Sequence, residues 1–197
     1  VVAQPDALAI GEASNAATYG QLGLTVGHWA SRFEEAGVPP GAVTSIEGDY
    51  GLASVAAFLA GIWRRLVLGP LSCASETHGG AFRATAEVEW RVRPADGALE
   101  ATGMAAAHEF YGRLRAGGVP GLVLFSSGST GKNKAAVHDL ERLMRKFSTP
   151  RPAWRTLVFL QLDHIGGVNT LLITVANGGA VVVPPDRSPA RVTEVME

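Results

Sequence analysis

Short apolar runs alternate with amphipathic stretches along this chain of 197 residues. The first clear period follows Thr18. Leu22, Val26, Trp29 and Phe33 recur at spacings that place them on one face of a helix. Thr18 caps that helix, and Gln21 completes a capping box. Gly37 and the Pro39-Pro40 pair end it. Val43 to Ile46 predicts a strand, Leu52 to Trp63 an Ala-rich helix, and Leu66 to Leu71 a second strand. Ser72 to Leu99 is less regular, although Glu87 to Arg93 alternates as a strand with one wet face does. Ala105 to Leu114 predicts a helix and Gly121 to Phe125 a buried strand. Asp139 caps a helix running through Phe147, and Thr156 to Leu160 predicts a strand. A helix from Gly166 to Asn177 and a strand from Ala180 to Val183 follow. Ser188, with Pro189 behind it, starts a last helix. Such alternation predicts an α/β layered fold, a largely parallel sheet flanked by helices.

Composition narrows the function classes. Hydrophobic residues make up 47% and charged residues 18%, enough apolar matter for a sizeable core. A formal net charge of −1 removes the electrostatic reason to expect nucleic acid or an anionic membrane as partner. No apolar run approaches the ~20 residues of a membrane span. Cys73 is the only cysteine, so there is no disulfide framework and no thiolate cluster for zinc, and a reducing cytoplasm is expected. His28, His78 and His108 are scattered without ligand spacing, and no metal site is expected. Arg142, Arg145 and Lys146 read as a solvated helix face. The chain begins without Met and stops at Glu197 inside its last predicted helix, which suggests a fragment.

The densest chemistry lies in Ser126-Ser127-Gly128-Ser129-Thr130-Gly131-Lys132-Asn133-Lys134. Hydroxyls donate to phosphate oxygens, glycines let backbone N–H groups turn inward as an anion nest, and lysines add positive charge. The buried strand in front would hold the loop at the carboxyl edge of a sheet, where ligands of open α/β folds bind. A solvated Gly/Ser loop is the plain alternative. A P-loop of the G-x-x-x-x-G-K-[ST] type fails at two positions: Ser126 stands where its first Gly belongs and Asn133 where its Ser/Thr belongs.

Leu122 to Phe125 followed by Ser126 to Gly131 and Lys134 resembles the phosphate-loop signature of the adenylate-forming superfamily. That superfamily includes acyl-CoA synthetases, peptide-synthetase adenylation domains and luciferases. Asn133 departs from it, because the family nearly always has Pro there. Phe159 to Gly167, containing His164, is similar to the family's next motif, and Thr18 to Leu22, Gly41 to Ser72 and Asn177 to Pro184 correspond to further parts in order. Cys73 to Gly118 matches least.

The resemblance implies that residues 1–197 are part of the N-terminal large domain of such an enzyme, without the small C-terminal domain. It implies ATP-dependent activation of a small carboxylic acid to an acyl-adenylate, with Mg²⁺, then transfer to CoA or a carrier protein. Ser126, Ser127, Gly128, Ser129, Thr130, Gly131, Lys132 and Lys134 would bind the ATP phosphates, and His164, Gly166 and Gly167 would border the acyl pocket. The family's later aromatic-Gly-x-Thr-Glu motif, ribose Asp and C-terminal lysine lie outside residues 1–197, so no catalytic residue proper is expected here and the chain alone is not expected to turn over. A non-catalytic nucleotide-binding or interaction module is the alternative reading. A third is an excised piece whose exposed apolar surface a homodimer would cover.

Overall fold

The computed structural model describes residues 4–12, 16–127, 133–184, 188, 192 and 193. The last predicted helix, after Ser188, lies mostly outside them. Strand pairing divides the described chain between two sheets, not the one sheet that alternation suggests. The smaller has strand order β2-β1-β10-β9, from β1 (Leu8–Glu12), β2 (Ala16–Thr18), β9 (Arg155–Leu157) and β10 (Ala180–Val183). The larger has order β6-β5-β3-β4-β7-β8, from β3 (Val43–Glu47), β4 (Val67–Leu71), β5 (Trp90–Arg93), β6 (Ala98–Ala101), β7 (Gly121–Ser127) and β8 (Asn133–Asp139). Pairing is parallel except for the β1–β2, β5–β6 and β7–β8 neighbours.

Helices connect the strands: α1 (Tyr19–Glu35), α2 (Leu52–Trp63), α3 (Glu76–Thr85), α4 (Glu109–Gly117), α5 (Leu140–Arg145) and α6 (Ile165–Ala176). The capping box of α1 is present: Gln21 N–H donates to the Thr18 hydroxyl, and Thr18 N–H donates back to Gln21 Oε1. Leu22, Trp29 and Phe33 are its buried face. Asp139 caps α5 by accepting from Arg142 N–H.

Burial follows the two-residue period of the strands. On β4 and β7, Leu68 and Leu122 face one apolar cluster, while Val67 and Val123 face a second on the other side of the sheet. The first cluster also holds Phe33, Phe58, Ile10, Leu171 and Val181, so it joins both sheets through α1, α2 and α6. The second packs Tyr111 and Leu114 of α4 against Val43. Each fully buried aliphatic or Phe side chain contributes roughly 1.5–3 kcal/mol.

Three local expectations are corrected. The helix predicted from Ala105 starts at Glu109, because the N–H groups of Ala106, Ala107 and His108 donate instead to the carboxylates of Glu89 and Glu87. The irregular stretch after Ser72 contains a 3-10 turn, Cys73–Ser75, then α3, anchored by the Phe82 ring stacked 4.5 Å from Phe125. The strand predicted to Leu160 ends at Leu157, leaving Phe159 and Leu160 exposed. No helix among the described residues is long and apolar enough to cross a membrane.

Candidate functional site

The hydroxyl-rich nonapeptide begins and ends on two paired strands. Ser126 and Ser127 end β7, Asn133 and Lys134 begin β8, and the register pairs Ser126 with Lys134 and Ser127 with Asn133. Gly128, Ser129, Thr130, Gly131 and Lys132 lie outside the described residues. Lys134 is exposed. Asn133 brings to the strand a backbone N–H that proline would lack. Strand β7 runs parallel to β4 and, through it, to β3 and β5, so β7 ends at their common carboxyl edge.

At the same edge, where β3, β4 and β5 end, lies a cavity of about 1000 Å³. Its walls include Tyr50, Leu52, Leu71, Ser72, Arg83 and Arg91. Glu47, at the end of β3, is the electrostatic hub. It accepts from Arg83 at 3.1 Å, Arg91 at 2.8 Å and the Ser45 hydroxyl at 2.8 Å. Tyr50 is 6% exposed, and its hydroxyl meets no hydrogen-bond partner among the described residues. Burial pushes that phenol well above its ordinary range.

A short turn after β9 closes the site from the side of the smaller sheet. Gln161 Oε1 accepts from Tyr50 N–H at 2.7 Å. Asp163 Oδ2 accepts from Ser72 N–H at 3.2 Å, from the Ser75 hydroxyl at 3.0 Å and from the Ser72 hydroxyl. Asp163 Oδ1 is buried without a hydrogen-bond partner among the described residues and lies 3.7 Å from His164 Nε2. His164 is the backbone N-cap of α6, and its side chain is 64% exposed. The Gly166-Gly167 pair behind it is explained by packing. A Cβ on Gly167 would stand 2.0 Å from the Gln161 carbonyl oxygen, and one on Gly166 would stand 2.5 Å from Leu160 Cδ1. Only glycine lets α6 start this close to the turn that precedes it.

The structure thus brings the end of β7 and the cavity to one sheet edge and joins the His164 turn to the cavity wall. Sequence reading named the hydroxyl-rich loop and His164. It missed the Glu47 hub, Tyr50 and Asp163, which depend on side chains distant in sequence. Among the described residues, no group of three His, Cys, Asp or Glu side chains could hold a metal ion.

Residues 100–197 match the model of the family described as AMP-binding enzyme. No curated protein sequence matches the chain. Among solved structures, the N-terminal subdomain of NpsA from Klebsiella oxytoca, in complex with 3-hydroxybenzoyl-AMSN, superposes with a TM-score of 0.72 at 16% identity, over 96% of this chain and 53% of that one. ATP-bound MatB from Rhodopseudomonas palustris gives 0.72 at 18% identity, over 100% and 46%. The amide bond synthetase McbA from Marinactinospora thermotolerans gives 0.67 at 20%, over 96% and 44%. The chain therefore spans about half the length of the structures it matches. Residues 100–197 thus belong to the AMP-binding enzyme family, within the adenylate-forming superfamily, and the whole chain shares the fold of these structures, with mixed, largely parallel sheets flanked by helices.

Proposed function

We propose that this chain supplies the ATP-phosphate and acid-entry portion of an enzyme that activates a carboxylic acid as its acyl-adenylate. One observation supports the reading: β7, which leads into the hydroxyl-rich segment, ends at the carboxyl edge of the sheet, the edge that also holds a ligand-sized cavity. Ser126, Ser127, Ser129 and Thr130 offer hydroxyls to the β- and γ-phosphates. Gly128 and Gly131 open the backbone to them, and Lys132 and Lys134 offset the charge that grows on departing pyrophosphate. The acid's carboxylate attacks the α-phosphorus, and the bond to the bridging oxygen of pyrophosphate breaks. His164, with the backbone at Gly166 and Gly167, borders the acid. CoA or a carrier thiol is the acceptor of the acyl group.

Mg²⁺ fits this site as an ion carried by the nucleotide, since the described residues hold no carboxylate cluster of their own for it. When bound, it would neutralise phosphate charge; the chain's part is the hydroxyl and ammonium donors.

Titration of the chain with ATP·Mg²⁺, and ATP–pyrophosphate exchange by the whole enzyme that carries it with a panel of carboxylic acids, test the proposal. Binding together with acid-dependent exchange is expected. Binding without exchange for any acid would favour the non-catalytic nucleotide module, and no binding by folded protein would defeat both. Lys134→Ala should weaken ATP binding about tenfold, equivalent to about 1.4 kcal/mol; unchanged affinity removes Lys134 from the site.

A further inference from the structure

We infer that Asp163 is a positioning residue. Its carboxylate sets the orientation of the His164 ring and locks it to the wall of the cavity. The inference rests on the reading of His164 as a border of the acid site.

The two oxygens of Asp163 are used unequally. Oδ2 takes three donors, two from Ser72 and one from Ser75, all on the turn that follows β4. Oδ1 takes none from the described residues, although the side chain is only 10% exposed. A buried acceptor left unpaired costs stability, so its retention calls for a reason. An anchor alone would not need it, because an asparagine carbonyl could receive the same three donors. What asparagine cannot supply is a second acceptor. The group facing that second oxygen is the imidazole of His164, with Nε2 at 3.7 Å. This separation is longer than a hydrogen bond, and a small rotation of the exposed ring closes it. Sites of this kind tighten once ligand is bound.

Asp163 also couples the halves of the site. Ser72 and Ser75 line the cavity, and Gln161, two residues before Asp163, accepts from Tyr50 N–H on another part of the same wall. The turn from Gln161 to His164 is thereby fastened to the ends of both β3 and β4. A ring oriented by Asp163 is held in register with the cavity, not with the smaller sheet alone.

The donors on Oδ2 make the test sharp. Ser72 N–H can only donate, so in Asp163→Asn the amide oxygen must take the Oδ2 position. The amide NH₂ then replaces Oδ1 and points a donor at His164 Nε2. With the ring neutral, the acidic side chain favours the Nε2–H tautomer, and the amide favours Nδ1–H with Nε2 accepting. Nitrogen NMR of the imidazole in the full chain reads this directly, whether or not the protein turns over. The expected result is a change of His164 tautomer in Asp163→Asn. In exchange assays of the whole enzyme it comes with a rise of about tenfold in the KM for the acid and an unchanged KM for ATP. The same tautomer in both proteins overturns the inference, as does a tautomer change that leaves the acid KM where it was. Should Asp163→Asn fail to fold, Ser75→Ala removes one donor and keeps the carboxylate. It should preserve the tautomer and raise the acid KM about threefold, ATP unaffected; an unchanged acid KM overturns the inference. Absence of exchange in the unaltered protein would count against the adenylation reading and leave the tautomer to decide the role of Asp163.

Discussion

Glu89 and Asp163 are carboxylates at opposite edges of the larger sheet, and they are held in opposite ways. At the amino edge, Glu89 Oε2 accepts from Val43 N–H at 2.8 Å and Arg115 at 2.9 Å, while Oε1 accepts from Ala106 N–H at 3.1 Å. Arg115 in turn donates to the carbonyls of Gly41 and Ala106. Both oxygens of Glu89 are engaged with the start of β3 and the approach to α4. At the carboxyl edge, Asp163 spends one oxygen on three donors and leaves the other unpaired among the described residues. The difference separates two jobs. A satisfied network holds strands in place; a partly satisfied one, beside a cavity, is poised for something that arrives.

Four substitutions test that division. The largest effect belongs to Glu89→Ala, which strands two backbone amides and the Arg115 guanidinium. It should cost about 3 kcal/mol in urea unfolding and leave ATP affinity unchanged; lost affinity at constant stability would blur the contrast between edges. Gly167→Ala comes next. Its methyl group would collide with the Gln161 carbonyl, so about 2 kcal/mol of stability should be lost together with altered acid KM. A stable variant with native acid KM would show that the α6 turn does not shape the site. Tyr111→Phe returns to the amino side, where the hydroxyl donates to the Ala86 carbonyl at 2.8 Å. Burial first, then Glu87, pushes this phenol from 10.0 up to about 12. The folded chain keeps the proton where the unfolded chain has lost it, so stability should fall as pH rises from 10.0 toward about 12. Thermal unfolding across that window should show a shallower fall in the variant. A residual slope is expected from Tyr50 and Tyr19, which burial also raises. Arg113→Ala sets the baseline. Its pair with Glu109 is exposed on both sides, so unfolding should change by under about 0.5 kcal/mol.

Local signals were legible where one residue decides the outcome. The Thr18–Gln21 box, the Asp139 cap and the apolar run of α2 each specify their element without help from elsewhere. The hydroxyl-rich loop was legible by its chemistry, but β8 was not, because its sequence, Asn-Lys-Ala-Ala-Val-His-Asp, becomes a strand only by pairing with β7. Helix α3 carries Gly79 and Gly80, and its place depends on Phe82 against Phe125 and Arg83 reaching Glu47. Partition into two sheets was hidden for the same reason: hydrophobic period tells that a strand exists, not which strand it meets. Of the site, the hydroxyls, lysines and His164 were visible as residue types. Asp163 was present in a recognised motif, yet its meaning depends on Ser72 and Ser75, and no local pattern announces them.

The parallel pairing of Ile10 with Val181 has a consequence for the timing of folding. On the ribosome β1 emerges early, and its partner follows only after almost all of this chain has been made, a wait on the order of ten seconds. In that interval α1, α2 and the larger sheet can assemble, while β1 keeps an open edge that invites mispairing. The smaller sheet therefore closes late, and the turn carrying Asp163 and His164 becomes ordered against a partner already in place.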